Sequence, residues 1–248
     1  MGITREVPSA GVTVLTLDFP PVNALPAAAW FDLADLVNSA GRDPSTHVLV
    51  LRAAGRGFCA GVDIKELEHS GPDALIAVNR GCHAAFGAVY DCPVPVIAAV
   101  HGFCLGGGIG LAGNADIVLA STDASFGLPE VDRGALGAAT HLSRLVPQPL
   151  MRALYYTATT ITADDLHHHG SVYRVVPRPA LDPAALDLAR LIAAKDPRVI
   201  RRAKEALNGI DPVDVHRSYR YEQGFTFELN LTDAPTQART AFLHTHGQ

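Results

Sequence analysis

The chain has 248 residues, 48% of them hydrophobic and 18% charged, which suffices for one large core, or a core with an appendage, and excludes a disordered chain. Its net charge of -5 argues against nucleic acid or an anionic membrane surface as partner, although a local basic cluster would still hold a phosphate. Cys59, Cys82, Cys92 and Cys104 lack metal-ligand spacing, and neither a leader pattern nor an apolar run of spanning length is present, so a soluble cytoplasmic protein with reduced cysteines is expected.

Taken in chain order, Gly11 to Phe19 alternates β-branched and polar residues and predicts a strand, broken at Pro20-Pro21-Val22-Asn23. Pro26 suits the first turn of a helix to about Ser39, with Trp30, Leu33, Leu36 and Val37 on its apolar face and Gly41 as its stop. His47 to Arg52 reads as a strand buried on both sides. Pro72 to Tyr90 is helical, Pro95 to Val100 a strand, and Asp116 to Ala120 another. This alternation predicts an α/β chain with mostly parallel pairing. After Pro177 strand signals cease and helix formers dominate, as in Asp182 to Ala194 and Pro197 to Asn208. Tyr219, Tyr221, Phe225 and Phe227 are too apolar for a solvated tail and are expected to pack on the core or on a neighbouring subunit.

Two glycine turns carry the chemistry. His101-Gly-Phe-Cys-Leu-Gly-Gly-Gly-Ile-Gly110 and Arg56-Gly-Phe-Cys-Ala-Gly-Val-Asp-Ile-Lys-Glu-Leu67 each follow an apolar strand and open a helix. Glycine permits sharp turns and close approach, and free amides at a helix start carry partial positive charge. Each turn therefore suits half of an oxyanion hole, a pair of N-H donors for an oxygen that becomes negative during reaction.

With Ser125-Phe-Gly-Leu-Pro-Glu-Val131 downstream, the chain resembles the enoyl-CoA hydratase/isomerase family, the crotonases. Pro21-Val-Asn-Ala-Leu25, Gly57-Phe-Cys-Ala-Gly-Val-Asp63, the triple glycine, Asn114-Ala-Asp116 and Phe126-Gly-Leu-Pro-Glu130 follow in the family's order. The resemblance implies an α/β fold, a crotonase-like spiral of ββα units with a C-terminal helical region, here divided into a core at 1–190 and a region at 191–248 that covers the pocket and supports oligomerisation. It implies an acyl-CoA substrate, with CoA arriving as the thioester and no metal or separate cofactor, and a homotrimer or a hexamer built as a dimer of trimers. By the same resemblance the oxyanion amides fall on Val62 and Gly107. Ala24, Ala60, Gly61, Asp63 and Ile64 match CoA-contacting positions, and Arg56 and Lys65 are candidates for its phosphates.

Departures from the family pattern narrow the reaction. Hydratases of this family orient water with two glutamates; here the first position is Gly110 and the second is Glu130. The empty position leaves space compatible with a rigid ring substrate. A shortened loop, Val131-Asp-Arg-Gly-Ala-Leu-Gly-Ala-Ala-Thr-His-Leu142, brings Asp132, Arg133 and His141 toward the reaction region as candidate acids, bases or anion clamps. Glu130 alone suits proton shuttling in an isomerase, or attack of water on a ketone β to the thioester with C-C cleavage. Two further readings are a hydratase in which Asp132 or His141 replaces the absent carboxylate, and an acyl-CoA-binding protein without activity. The wording of residues 127–147, and Glu222-Gln-Gly-Phe-Thr-Phe-Glu-Leu-Asn-Leu231, favour hydrolysis, since they are similar to a crotonase of actinobacterial cholesterol breakdown that opens a carbocycle of an indane-dione CoA thioester. Glu222 and Glu228 are each candidates for a second acid. His167-His-His169 and Arg201-Arg-Ala-Lys204 read as surface features.

Overall fold

The computed structural model describes residues 2–68 and 72–232, together with 235, 237, 238, 240 and 241. Part of the predicted region 191–248 therefore lies outside the described residues. The chain starts with strands β1 (Gly2–Ser9) and β2 (Gly11–Asp18), then β3 (Ala24–Leu25), helix α1 (Ala27–Arg42), β4 (Thr46–Ala53), β5 (Gly61–Val62) and helices α2 (Ile64–Glu68) and α3 (Pro72–Asp91). It continues with β6 (Val96–Val100), β7 (Phe103–Leu105), α4 (Gly107–Ala112), β8 (Ile117–Ser121), β9 (Ser125–Gly127) and a 3-10 turn, Pro129–Arg133. Helices α5 (Ala139–Leu142) and α6 (Gln148–Thr157), strand β10 (Thr160–Thr162), α7 (Ala163–His168) and β11 (Arg174–Val176) follow. Three helices close the sequence of elements: α8 (Arg178–Ala193), α9 (Pro197–Gly209) and α10 (Val215–Leu229).

The main sheet runs β1-β2-β4-β6-β8-β11, parallel throughout except for the antiparallel β1-β2 pair. Side chains alternate across it with period two. Leu15, Leu17, Leu49 and Leu51 enter the large core under α1 and α3, whereas Val12, Val14, Val48 and Val50 face α8, where Leu181, Ala185 and Ala189 cover them. Both faces of β4 are thus buried, as its unbroken apolar run predicts. Helix α8 spans residue 190, so the covering of the sheet's second face crosses the predicted division of the chain. Two small sheets, β3-β5 and β10-β9-β7, lie beside the main one and carry the glycine turns.

One strand is added and two expectations are corrected. Strand β1 was not foreseen, because its residues from Arg5 to Glu6 are charged; it is an edge strand with mostly exposed side chains, and Arg5 pairs with Asp43 at 2.8 Å. Gly41 does not stop α1. It lies inside the helix, where a methyl group would sit 2.8 Å from both Cys92 Sγ and Pro93 Cδ, and the helix ends at Asp43. Arg201 and Lys204 are not a solvated face: Arg201 donates to the carbonyls of Gly41, Asp43 and Thr46, and Lys204, 5% exposed, pairs with both oxygens of Asp116 at 2.8 Å. Among the described residues no helix is long and apolar enough to cross a membrane.

Candidate active site

The two glycine turns meet. Leu105 N-H donates to Cys59 O at 2.8 Å and Cys59 N-H to Phe103 O at 3.3 Å, which ties the strand ends ahead of the turns together. Asn23 fixes a third loop against them, its Oδ1 accepting from Phe19 N-H at 2.7 Å and its Nδ2 donating to Ala54 O and Gly57 O at 2.8 Å. That is the structural reason for the Pro-Val-Asn-Ala-Leu motif. Gly61 has φ +95°, and a methyl group on it would lie 3.0 Å from Gly107 N, so only glycine lets the turns approach. Gly106, at φ +55°, holds a conformation that side chains rarely adopt, and a methyl group there would displace Glu130 Oε1.

The Val62 and Gly107 amides are both available. Gly107 is the first residue of α4, so its N-H has no acceptor within that helix. Across the parallel β3-β5 pair, Leu25 stands opposite Val62 and accepts from Asp63 N-H at 3.0 Å; the alternation of a parallel ladder turns the Val62 N-H away from β3. Val62, Gly106, Gly107 and Glu130 line one cleft. Its remaining walls are largely apolar, with Ile64, Val78, Cys82, Phe86 and Leu136 among them.

Glu130 sits on the 3-10 turn that begins at Pro129. The residue as a whole is half-buried, yet its Oε2 is sealed from solvent and has no hydrogen-bond partner. Burial pushes its carboxyl up to about 8, against the pull of its own backbone N-H and of Arg133, and with a small further rise from Glu222. A carboxylate so placed is a strong base once ionised.

The structure separates the other predicted residues. Ala60 and Ile64 line the cleft with Val62, and Ala24 pairs with Gly61 in the small parallel sheet. The Asp63 side chain accepts from Lys65 N-H at 3.0 Å, opening α2, while the Arg56 and Lys65 side chains lie in solvent. Asp132 is exposed and does not line the cleft. His141 is 1% exposed and packs behind the cleft wall, with ring centroids 5.0 Å from Phe86 and 4.7 Å from Tyr219. Its Nδ1 lies 3.1 Å from Asn114 Oδ1, and burial holds it neutral by lowering its pKa to about 3. Chemistry expected at Asp132 and His141 therefore finds no support, because neither side chain reaches the cavity.

Gly110 is corrected too. The space beside it belongs to the ring of Phe86, which a methyl group on Gly110 would enter, so no room is left there for substrate. Phe86 also meets Trp30 edge-on at 5.6 Å. Glu222 is no second acid at the cleft: its carboxylate accepts from the N-H groups of Ala139 at 2.9 Å and Thr140 at 3.2 Å, holding the start of α5. Glu228 is exposed, as are His167, His168 and His169, and among the described residues no three metal-binding side chains converge. Phe86, Cys82 and Asn79 were missed. Their spacing along α3, with Leu75 and Val78, is the helical signal that would have found them.

Comparison with known proteins agrees with this geometry. The family model described as enoyl-CoA hydratase/isomerase matches residues 8–243. A Rhodococcus jostii (strain RHA1) protein named (7aS)-7a-methyl-1,5-dioxo-2,3,5,6,7,7a-hexahydro-1H-indene-carboxyl-CoA hydrolase is 65% identical, covering 99% of this chain and 95% of its own. A protein of the same name from Mycobacterium tuberculosis (strain ATCC 25618 / H37Rv) is 64% identical over 98% of this chain and 99% of its own. The crystal structure of an enoyl-CoA hydratase/isomerase from Xanthobacter autotrophicus Py2 superposes with a TM-score of 0.89 at 28% identity, covering 98% of this chain and 92% of that one. Fold, turns and sequence converge: this chain belongs to the enoyl-CoA hydratase/isomerase family and has the crotonase fold.

Proposed function

We propose that this chain is a hydrolase that breaks a ring C-C bond in a bicyclic diketo acyl-CoA of steroid degradation. One observation carries the reading: Glu130 is the sole carboxylate among the described residues that line the cleft, and Phe86 fills the place from which a second would act. The 65% identical relative, named as a hydrolase of such a CoA ester, supplies the substrate class.

In this reading Glu130 takes a proton from water, and the resulting hydroxide adds to a ring ketone. The adjacent C-C bond then breaks, leaving a carboxylic acid at the former ketone carbon. The released electron pair is delocalised, directly or through the ring double bond, onto the thioester oxygen held by the Val62 and Gly107 amides. Protonated Glu130 returns its proton to carbon, and one water has been consumed.

CoA would run along the β3-β5 edge past Ala24, Ala60, Gly61, Asp63 and Ile64, with the exposed Arg56 and Lys65 as the cations for its phosphates. Helix α10 covers the cleft, contributing Tyr219 and Thr226 to its wall. Exposed Tyr221, Phe225 and Leu231 supply apolar surface for a homotrimer, alone or doubled. Four free, buried cysteines suit a reducing cytoplasm.

Incubation in oxygen-18 water with the bicyclic diketo acyl-CoA and, separately, with crotonyl-CoA tests the proposal. Mass spectrometry is expected to find a ring-opened acid carrying label in its new carboxyl group, and crotonyl-CoA unchanged. An isomer of unchanged mass, a hydrated crotonyl ester, or no turnover of either compound overturns it.

A further inference from the structure

One face of α3 forms a wall of the cleft. Leu75, Val78, Asn79, Cys82 and Phe86 line it at spacings of three and four residues, and four of these five are apolar. Asn79 is the exception. It is 9% exposed, and its Nδ2 is buried with no hydrogen-bond partner. A buried donor without an acceptor is costly, and buried amides elsewhere in this protein are satisfied: Asn23 Nδ2 reaches Ala54 O and Gly57 O, and Asn114 Nδ2 donates to Phe86 O at 3.0 Å. Thr226, another polar residue of the lining, directs its hydroxyl to Leu136 O at 2.8 Å.

Asn79 is also held in place. Gln223 of α10 donates from Nε2 to Asn79 O at 2.7 Å, and its Oε1 accepts from Arg220 at 3.1 Å. The backbone under the amide is thereby clamped between two helices. Along α3, Cys82 lies near enough to Glu130 to feel its charge, and Asn79 is one turn beyond, an axial rise of about 4.5 Å. Glu130 lines the same cleft, so the donor and the carboxyl group border one bound acyl group from different elements.

We propose that Asn79 Nδ2 donates a hydrogen bond to a carbonyl oxygen of the acyl ring system, the one remote from the carbon that water attacks, and so selects oxygenated bicyclic acyl-CoAs over hydrocarbon acyl groups of equal bulk. This rests on the ring-opening reading above. A ketone oxygen offers lone pairs and no donor, which complements an amide NH2 in an apolar wall. Sites built to hydrogen-bond a substrate discriminate against analogues lacking the partner far more steeply than apolar pockets discriminate by size.

The test is a binding cycle in the Glu130→Gln protein, which holds the ester without turning it over. Calorimetry compares the diketo acyl-CoA with the analogue carrying a methylene in place of the remote ketone, for Asn79 and for Asn79→Leu. With Asn79 present the diketone is expected to bind about 10- to 100-fold more tightly than the analogue. Asn79→Leu is expected to erase that preference while leaving the analogue's affinity within about threefold. Loss of affinity for both esters alike, or a preference that survives the substitution, overturns the proposal; Asn79→Ala serves in the same cycle should the leucine variant not fold. Failure of the parent reading shows separately, as wild-type protein that turns over neither ester in labelled water while the preference persists.

Discussion

A carboxyl group whose Oε2 is sealed from solvent resists ionisation, and at Glu130 that resistance bears on stability and, in the proposed reaction, on activity. As the base of the proposed reaction, Glu130 must be ionised, so kcat/KM is expected to rise with pH and level off above about 8, and Glu130→Gln to lower kcat at least about 1,000-fold with CoA-ester affinity changed only a few fold. An unchanged rate in the variant would remove Glu130 from the mechanism. The stability effect has the opposite sign. Between the ordinary carboxyl value of 4.5 and the folded value of about 8, the native state binds more protons than the unfolded chain, so stability falls as pH rises through that window. Glu130→Gln is therefore expected to be more stable than the parent at pH 7, by at most about 3 kcal/mol, and equal to it below pH 4.5, as followed by denaturant unfolding at each pH. His141 works in the other direction: held neutral down to about 3, it favours the native state at neutral pH and ceases to do so as acid protonates the unfolded chain.

At the scale of elements, α3 and α4 share a single arrangement in which Phe86 occupies the space that Gly110 leaves. Gly110→Ala is expected to destabilise the protein by about 1 to 3 kcal/mol despite alanine's better helix propensity, because the added methyl group meets the ring. Combining it with Phe86→Leu is expected to recover part of that loss, and additive effects in thermal unfolding would show that the two sites do not compete. This pairing explains a limit of sequence reading. The glycine turns were legible because their spacing, their preceding strands and their following helices are local signals. What fills the gap at Gly110 lies on another helix, and no local pattern connects residues 86 and 110. For the same reason Asp132 and His141 were misplaced: proximity along the chain to Glu130 predicted proximity to the chemistry, whereas a 3-10 turn and a left-handed residue at Ala138 turn the intervening loop, so that Asp132 faces solvent and His141 enters the core.

Across the whole molecule, the sheet was largely legible and the packing of the last helices on it was not. Period-two burial in β2 and β4 made the strands plain, but the same helical composition in α9 concealed two anchors, half-buried Arg201 and buried Lys204, among exposed charges such as Arg202. Asp116 accepts from Lys204 and from Val96 N-H at 2.8 Å, and so joins α9 to the start of β6. Lys204→Met is expected to cost about 1 to 3 kcal/mol by removing the charge-assisted hydrogen bonds to a carboxylate that water still reaches, and the double variant Asp116→Asn/Lys204→Met to cost less than the single one in denaturant unfolding. Helix α10 has a comparable reach, since Glu222 holds the start of α5, Gln223 holds α3, and Thr226 holds Leu136. A polypeptide grows from its N-terminus, and α10 leaves the ribosome after every strand of the sheet has done so. A nascent chain that has emerged only as far as Gly209 holds every strand of the sheet, but its reaction chamber still lacks a side, so catalytic competence arrives only with the last helix.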